Sequence, residues 1–176
     1  MSDDPSRDWP ADIHRALADA DVGMIGVVPD AGHKRLIDLC EADNDMRVVA
    51  LTTEEEGIGL VSGAWLGGVR GALLMQSSGV GNCINAIASL SRACQLPLLL
   101  IATMRGEWGE GNPWQIPMGR ATPKVLDTMG VQVARADRPN EVGETVTAMA
   151  NLAFKSQTTT AVLLSQRLIG AKSFQD

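Results

Sequence analysis

The stretch that decides the fold runs from Thr52 to Asn82 and reads TTEEEGIGLVSGAWLGGVRGALLMQSSGVGN. Three glutamates, Glu54 to Glu56, begin a glycine-rich helical pattern that extends to about Leu66, and an apolar strand pattern from Ala72 to Met75 follows it. Acids are favoured at a helix N-terminus, because its free N–H groups and dipole attract negative charge. Helix capping and solubility therefore account for most acids in such a position, and a more specific role needs further support.

A stripe of glycines marks one side of this predicted helix. Gly59, Gly63 and Gly67 recur every four residues and therefore share one face. Each interior glycine costs about 1 kcal/mol of helix stability relative to alanine. The stripe fits another backbone or a flat ligand pressed against the helix. Close packing against the protein's own sheet explains it equally well, and both interpretations stay open.

The rest of the chain alternates strand and helix patterns. Strands are predicted over residues 23–28, 47–51, 72–75, 97–102, 131–134 and 160–164. Helices are predicted over residues 10–20, 33–42, 54–66, from 82 onward, 122–130 and 139–155. This alternation predicts an α/β fold with a single domain over residues 1–176. We expect a six-stranded, mostly parallel sheet with helices on both faces.

Three polar stretches follow strands of this predicted sheet. They are Pro29 to His33, Thr52 to Glu54, and Gln76 to Asn82. Ligands of open parallel sheets bind at the carboxyl ends of the strands, so these stretches predict one site. The turn SSGVGN lacks both the dinucleotide fingerprint and the P-loop lysine, so a nucleotide phosphate is not its expected ligand. For His33 a capping role and a catalytic role both remain open.

A long segment without periodicity, Thr103 to Arg120, follows the strand that ends at residue 102. Loops of this length in compact domains are usually functional or disordered, and Trp108 and Trp114 argue against disorder. Arg105 and Arg120 stand near its two ends. A guanidinium fork suits an oxyanion, so an acidic substrate would need at least one of them, whereas the alternative is solvent-exposed loop charge.

Composition excludes several classes of function. The net charge is −6 and no basic stripe is present, so no nucleic acid partner is expected. The N-terminus is acidic and lacks an apolar stretch, so we predict no targeting segment and no membrane partner. Cys40, Cys83 and Cys94 form no C-x-x-C pair, which is typical of reduced, buried thiols in a cytoplasmic protein. Two histidines, His14 and His33, are too few for a typical zinc site, and no metal ligand is predicted.

Several segments resemble one enzyme superfamily. In the pyrimidine-binding domain of thiamine diphosphate enzymes, a glutamate at a helix start lies nine residues before a helix glycine, as Glu54 lies before Gly63 here. The segments VPDAGHKRLI, TTEEEGIGLVSGAWLGG, MQSSGVGNCINAIASL and RGEWGEGNPWQIPMGRATPKVLDTMGV cover most of residues 27–131. They resemble sulfopyruvate decarboxylase alpha subunits and, next to them, phosphonopyruvate decarboxylases.

This resemblance implies a chemistry and a set of site residues. Glu54 would hydrogen-bond a ring nitrogen of the cofactor's aminopyrimidine and so promote proton removal from the thiazolium, although a slip of one residue would give this role to Glu55. The substrate would be a small acidic 2-oxo acid, with sulfopyruvate yielding sulfoacetaldehyde and carbon dioxide in sulfonate or coenzyme M metabolism. The cofactor would be lined by Gln76, Ser78 and Gly79. The substrate would meet His33, also a catalytic candidate, and Asn82, Arg105, Gln115 and Arg120.

The sequence departs from a complete enzyme of this superfamily at one point. The diphosphate and its Mg²⁺ are held by a second domain with a GDG signature, and no GDG occurs here. We therefore expect a hetero-oligomer with a separate beta subunit that holds Mg²⁺ and the diphosphate. The alternatives are a phosphonopyruvate decarboxylase subunit, a non-catalytic partner protein on the same fold, and a phosphate-binding or flavodoxin-like module.

Overall fold

The computed structural model describes residues 7 to 171. Residues 1–6, in which we predict no targeting segment, and residues 172–176, which the predicted single domain includes, lie outside this range. The strands are β1 (Val22–Val27), β2 (Arg47–Ala50), β3 (Arg70–Gln76), β4 (Leu98–Thr103), β5 (Gln132–Ala136) and β6 (Thr159–Leu164). The helices are α1 (Trp9–Asp19), α2 (Lys34–Glu41), α3 (Glu54–Leu66), α4 (Val80–Ala86), α5 (Ile116–Thr128), α6 (Val142–Ser156) and α7 (Gln166–Ile169).

The strands form one sheet in the order β2-β1-β3-β4-β6-β5, and every neighbouring pair is parallel. The predicted fold class is therefore confirmed. Successive residues of a strand face opposite sides of the sheet, so Leu74 packs in one apolar core with α1, α2 and α6, while Leu73 packs in the other with α3, α4 and α5. Burial on both faces explains why the central strands are continuously apolar.

Helix α3 has the predicted bounds, and its glycines separate into two groups. A Cβ atom on Gly57 would overlap the side chain of Leu73, so Gly57 is the residue that lets α3 lie close to the sheet. A Cβ atom on Gly59 or Gly63 would have nothing within 4 Å. Packing against the protein's own sheet therefore does not explain these two glycines, which form an open, exposed face.

Helix α5 begins earlier than predicted. The sequence favours a start at Thr122 with Pro123 in the first turn, but the helix starts at Ile116 and contains Pro123 in its interior. Gly119 explains the difference, because a Cβ atom there would overlap the main-chain carbonyl of Arg105 and glycine alone permits this close approach. The hydroxyl of Thr122 donates to the Met118 carbonyl at 2.8 Å instead of capping a helix.

Four further differences concern smaller elements. α4 begins at Val80 and continues as a π-helix over Ile87–Arg92. β5 covers Gln132–Ala136, slightly later than predicted, and α7 was not predicted. Cys94 is exposed, contrary to the prediction of three buried thiols, because it lies in the turn after the π-helix; Cys40 and Cys83 are buried and all three are free. No helix within residues 7–171 is long and apolar enough to cross a membrane.

Candidate active site

The three glutamates at the start of α3 have three different environments. Thr53 caps the helix, accepting a hydrogen bond from the Glu55 N–H at 3.2 Å. The Glu56 carboxylate accepts bonds from the Thr52 N–H and hydroxyl, both at 2.9 Å, and these bonds lower the pKa of Glu56. Glu55 is exposed, whereas Glu54 is only 8% exposed. Glu56 therefore stabilises the N-terminal end of α3, and Glu54 is the glutamate whose side chain is buried.

The Glu54 carboxylate lies between the N-termini of α3 and α4. The Asn82 side-chain amide donates a hydrogen bond to Glu54 Oε2 at 2.9 Å. A Cβ atom on Gly79 would overlap the Glu54 carboxyl group, so a glycine is required at that position. The N–H groups at a helix N-terminus attract negative charge, and both helices begin beside this carboxylate. The predicted residues Glu54, Gly79 and Asn82 are thus brought into direct contact.

The turn that carries Gly79 is held from several directions. Gln76 Nε2 donates to the exposed Ser78 hydroxyl at 2.7 Å. The Ser77 hydroxyl accepts a bond from the Arg105 N–H at 3.0 Å, and the Ser77 carbonyl accepts one from Thr122 at 3.2 Å. The loop at Arg105 and helix α5 therefore both hold this turn in place, and Gln76 and Ser78 remain accessible at its rim.

His33 lies beneath this turn and is completely buried. Its Nε2 is 3.2 Å from the Met75 carbonyl and 3.1 Å from the Ile101 carbonyl, and two acceptors require that Nε2 carry a proton. Nδ1 is buried and has no partner within residues 7–171. Burial lowers the pKa of His33, so the ring is a neutral donor to main chain. This environment favours a supporting role over the predicted contact with substrate.

Two residues that the sequence did not single out individually fix the turn that leads into His33. The Asp30 carboxylate accepts bonds from the Thr103 hydroxyl at 2.7 Å and from the Gly32 N–H at 3.1 Å. Asp30 follows β1 and Thr103 ends β4, so the pair joins two strands on either side of β3. The motif VPDAGH contains the signal, because an aspartate two residues before a glycine is typical of a side-chain-stabilised turn.

Arg105 is not a solvent-exposed loop charge, because its side chain is buried. Its Nε lies 3.3 Å from Glu110 Oε2, and the two side chains are 4% and 3% exposed. The same Nε donates to Gln115 Oε1 at 3.2 Å. Burial alone would raise the pKa of Glu110, but hydrogen bonds from the Asn112 and Gly106 N–H groups, together with Gln166 and Arg105, outweigh it and lower that pKa. In this structure Arg105 and Gln115 therefore form contacts that stabilise the loop.

The loop is also tied to the segment after β6. Gln166 is fully buried, and its Oε1 accepts bonds from the Glu107 and Trp108 N–H groups at 2.8 and 2.9 Å. Its Nε2 donates to Glu110 Oε2 at 2.9 Å. Sequence reasoning missed Gln166, since a lone glutamine after a strand carries no recognisable signal. The loop is consequently ordered and is held against the carboxyl edge of the sheet.

Arg120 has a different position from Arg105. It is exposed on α5, and no ion pair or hydrogen bond of its guanidinium is found with any part of the chain that the structure describes. Within residues 7–171, no group of three or more His, Cys, Asp or Glu side chains is placed to hold a metal ion. Of the two arginines predicted to read an acidic group, Arg120 is the one that is available.

Comparison with known proteins gives consistent results at the level of sequence. The chain is 40% identical to the sulfopyruvate decarboxylase subunit alpha of Methanocaldococcus jannaschii over 151 residues, covering 86% of this chain and 89% of the relative. It is 38% identical to the subunit of the same name from Methanococcus maripaludis over 152 residues, covering 86% and 91%. A phosphonopyruvate decarboxylase of Streptomyces viridochromogenes is 36% identical over 118 residues, which are 66% of this chain and 30% of that protein. No family model matches the sequence.

Among solved structures, a 2-oxoglutarate:ferredoxin oxidoreductase from Magnetococcus marinus superposes with a TM-score of 0.73 at 14% identity, covering 92% of this chain and 29% of that one. This likeness concerns the fold. The identity to the two archaeal subunits extends over nearly their whole length, and their names describe one subunit of a multi-subunit decarboxylase. The chain therefore belongs to the family of sulfopyruvate decarboxylase alpha subunits.

Proposed function

We propose that this chain is the alpha subunit of a thiamine diphosphate-dependent decarboxylase that converts sulfopyruvate to sulfoacetaldehyde and carbon dioxide. A beta subunit would hold the cofactor's diphosphate and Mg²⁺. The observation that carries the proposal is the Glu54 carboxylate, which lies against Gly79 at the carboxyl edge of the sheet with one oxygen bonded to Asn82. The match to subunits named for this reaction supports the substrate class.

The residues present fit an aminopyrimidine ring. A buried carboxylate can hydrogen-bond a ring nitrogen and share its proton, and Glu54 meets this requirement because it is 8% exposed. Gln76 and Ser78 offer polar groups on the same turn as Gly79. Gly79 itself has no side chain, which leaves room for the Glu54 carboxyl group. The bound cofactor would supply the electron sink for loss of carbon dioxide. The contribution of this chain is to hold a proton at the Glu54 carboxyl group.

The neighbouring thiol does not interfere with this proton. Cys83 is one turn beyond Gly79, and its Sγ lies 3.6 Å from the Gly79 carbonyl. Burial, followed by the charges of Glu54 and Glu55, raises the pKa of Cys83 to about 12. The thiol therefore stays protonated near neutral pH and is not a competing base or nucleophile. With three free cysteines, the subunit suits the reducing cytoplasm in which we place it.

The open face of α3 is the surface that we assign to the beta subunit. Gly59 and Gly63 have free space above them, and Leu66 on the same helix is 75% exposed. A face without side chains permits another backbone to approach within close distance, and an exposed leucine gains from burial. Glu54 lies at the N-terminal end of this helix, so a subunit that covers α3 would also close the cofactor site.

The acidic group of the substrate is assigned to Arg120. Its guanidinium is exposed and unpaired within the described chain, whereas Arg105 would have to leave the buried Glu110 carboxylate before it could bind another anion. Removing the partner of a buried charge is unfavourable, so Arg105 is the less suitable of the two. A guanidinium can donate two parallel bonds to a sulfonate or phosphonate group.

Reconstitution tests the proposal. The chain would be expressed alone and together with a beta subunit that carries the GDG sequence, and each preparation would be assayed for carbon dioxide release with thiamine diphosphate and Mg²⁺. We expect turnover of sulfopyruvate by the pair and none by the chain alone. Preference of the pair for phosphonopyruvate would favour the second candidate, which the Streptomyces relative supports. Full activity of the chain without a partner would contradict the proposed assembly.

A further inference from the structure

Asn82 occupies a position that its expected role as a substrate ligand does not explain. It is the third residue of α4, and helical side chains tilt toward the N-terminus, which brings its amide back over Gly79. There Nδ2 donates to Glu54 Oε2 at 2.9 Å. The donor that one would assign to the substrate is thus already bonded to the carboxylate.

The bond fixes one oxygen of a carboxyl group that is already largely enclosed. One side of that group lies against the Gly79 backbone. The main chain of Glu54 is fixed as well, because Thr53 caps α3 immediately before it. Asn82 is itself exposed, whereas Glu54 is only 8% exposed. Without the amide, the carboxyl group could rotate about its terminal bond and turn toward water.

We propose that Asn82 is a positioning residue for Glu54. It holds one carboxylate oxygen by its amide and leaves the other oxygen in the orientation needed for the ring nitrogen. This inference rests on the proposed role of Glu54 and concerns the orientation of its carboxyl group. Misplacing a reacting group by about 1 Å can reduce a rate about a hundredfold, so such a bond has a large effect on turnover.

The first test uses the chain alone, without cofactor or partner. The Glu54 carboxyl signal in the ¹³C NMR spectrum would be assigned by its loss in Glu54→Gln and then followed in Asn82→Ala and Asn82→Asp. The control is Asn85→Ala, an exposed position three residues later on α4. We expect both Asn82 variants to move the Glu54 signal and the control to leave it in place. An unchanged Glu54 signal in both Asn82 variants would overturn the proposal.

The second test separates positioning from substrate contact in the reconstituted pair. Loss of a hydrogen bond to a charged group should lower kcat and the exchange of the thiazolium proton about tenfold to a hundredfold in Asn82→Ala. KM should stay within about threefold, and Asn82→Asp should be at least as slow, because it places a second carboxylate beside Glu54. A raised KM with wild-type kcat would mean that Asn82 contacts substrate and would overturn the proposal. Wild-type proton exchange in Glu54→Gln would instead refute the proposed function, while the NMR result would still decide the contact.

Discussion

The hydroxyl of Thr103 donates a hydrogen bond to the carboxylate of Asp30 at 2.7 Å and thereby joins the end of β4 to the turn after β1. Between these two strands lies β3, and the Met75 carbonyl near its end accepts a hydrogen bond from His33. The turn that carries Gly79 leaves the sheet at this point. The relationship explains how residues far apart in the sequence hold the surface opposite Glu54 in one place.

Replacing Thr103 by valine should destabilise the fold without a change of shape. Thr103→Val keeps the branched side chain but leaves the Asp30 carboxylate with one donor fewer, and an incompletely bonded group of this kind costs about 1–3 kcal/mol. Urea unfolding, followed by circular dichroism, measures the difference. Thr128→Val is the control, because that hydroxyl bonds only to the Lys124 carbonyl on an exposed part of α5. Equal losses of unfolding free energy in both variants would show that the bond between Thr103 and Asp30 contributes no more to stability than an exposed helix bond.

The stability of the protein should fall with acid partly because of His33. Burial lowers the pKa of His33 in the folded chain below the ordinary value of about 6.5, so the unfolded chain binds the proton more readily. The contribution of His33 to the free energy of unfolding is therefore complete above pH 6.5. It is lost as the pH falls from 6.5 toward the pKa of His33 in the folded chain. Its slope approaches about 1.36 kcal/mol per pH unit.

The comparison that isolates this effect is wild type against His33→Gln. Their free energies of unfolding should run parallel above about pH 7.5 and converge below about pH 6.5, because glutamine does not titrate. Parallel curves over the whole range from pH 8 to pH 5 would mean that the ring takes up its proton as easily in the folded chain as in the unfolded one.

Adding one methyl group at Gly79 should damage the site selectively. A Cβ atom there would overlap the Glu54 carboxyl group, so Gly79→Ala should displace Glu54 and lower thiazolium proton exchange in the reconstituted pair by at least about tenfold, on the scale of 1.4 kcal/mol per tenfold. Gly81→Ala is the matched control, since its Cβ would meet only the flexible Met118 sulfur at 3.3 Å. Similar activities of the two variants would contradict the described contact.

The glutamates should divide into one that acts in catalysis and one that acts in stability. Glu54→Gln should keep the assembly and lose most activity, because an amide cannot exchange the proton. Glu56→Gln should keep activity and lower the melting temperature slightly, since its bonds to Thr52 weaken. Activity measured beside thermal unfolding distinguishes the two. Loss of activity in Glu56→Gln or Glu55→Gln with a functional Glu54→Gln would move the catalytic role along the helix.

The two arginines should differ in what their removal affects. Arg120→Ala should lower kcat/KM for sulfopyruvate about tenfold to a hundredfold and leave pyruvate, which lacks the acidic group, almost unchanged. Arg105→Ala should instead destabilise the chain by roughly 2 kcal/mol, because Glu110 loses its buried partner. Kinetics with both substrates and urea unfolding of both variants provide the check. Equal kinetic losses on the two substrates in Arg120→Ala would remove it from the substrate site.

The sequence was sufficient for the features that depend on local pattern. Apolar runs of four to six residues predicted the strands, and the acids that begin a glycine-rich helical pattern at Glu54 predicted the helix that starts at the site. The features that it missed depend on contacts between distant segments. The approach of Gly119 to Arg105 moved the start of α5, and Gln166 fixes a loop about 60 residues earlier in the chain. The contact of Glu54, and of neither neighbouring glutamate, with Gly79 likewise depends on the turn before α4, which lies far from Glu54 in the sequence.

The strand order has a consequence for how the chain folds as it is synthesised. From β1 to β4 each new strand can add beside one that is already present, but β5 lies at the far edge and reaches the sheet only through β6. β5 leaves the ribosome before its only neighbour, so it must wait until β6 inserts between it and β4. Pulse-labelled hydrogen exchange should show protection of β5 no earlier than that of β6. Because Gln166 lies two residues after the end of β6, the loop around Trp108 also acquires its anchor in this last step.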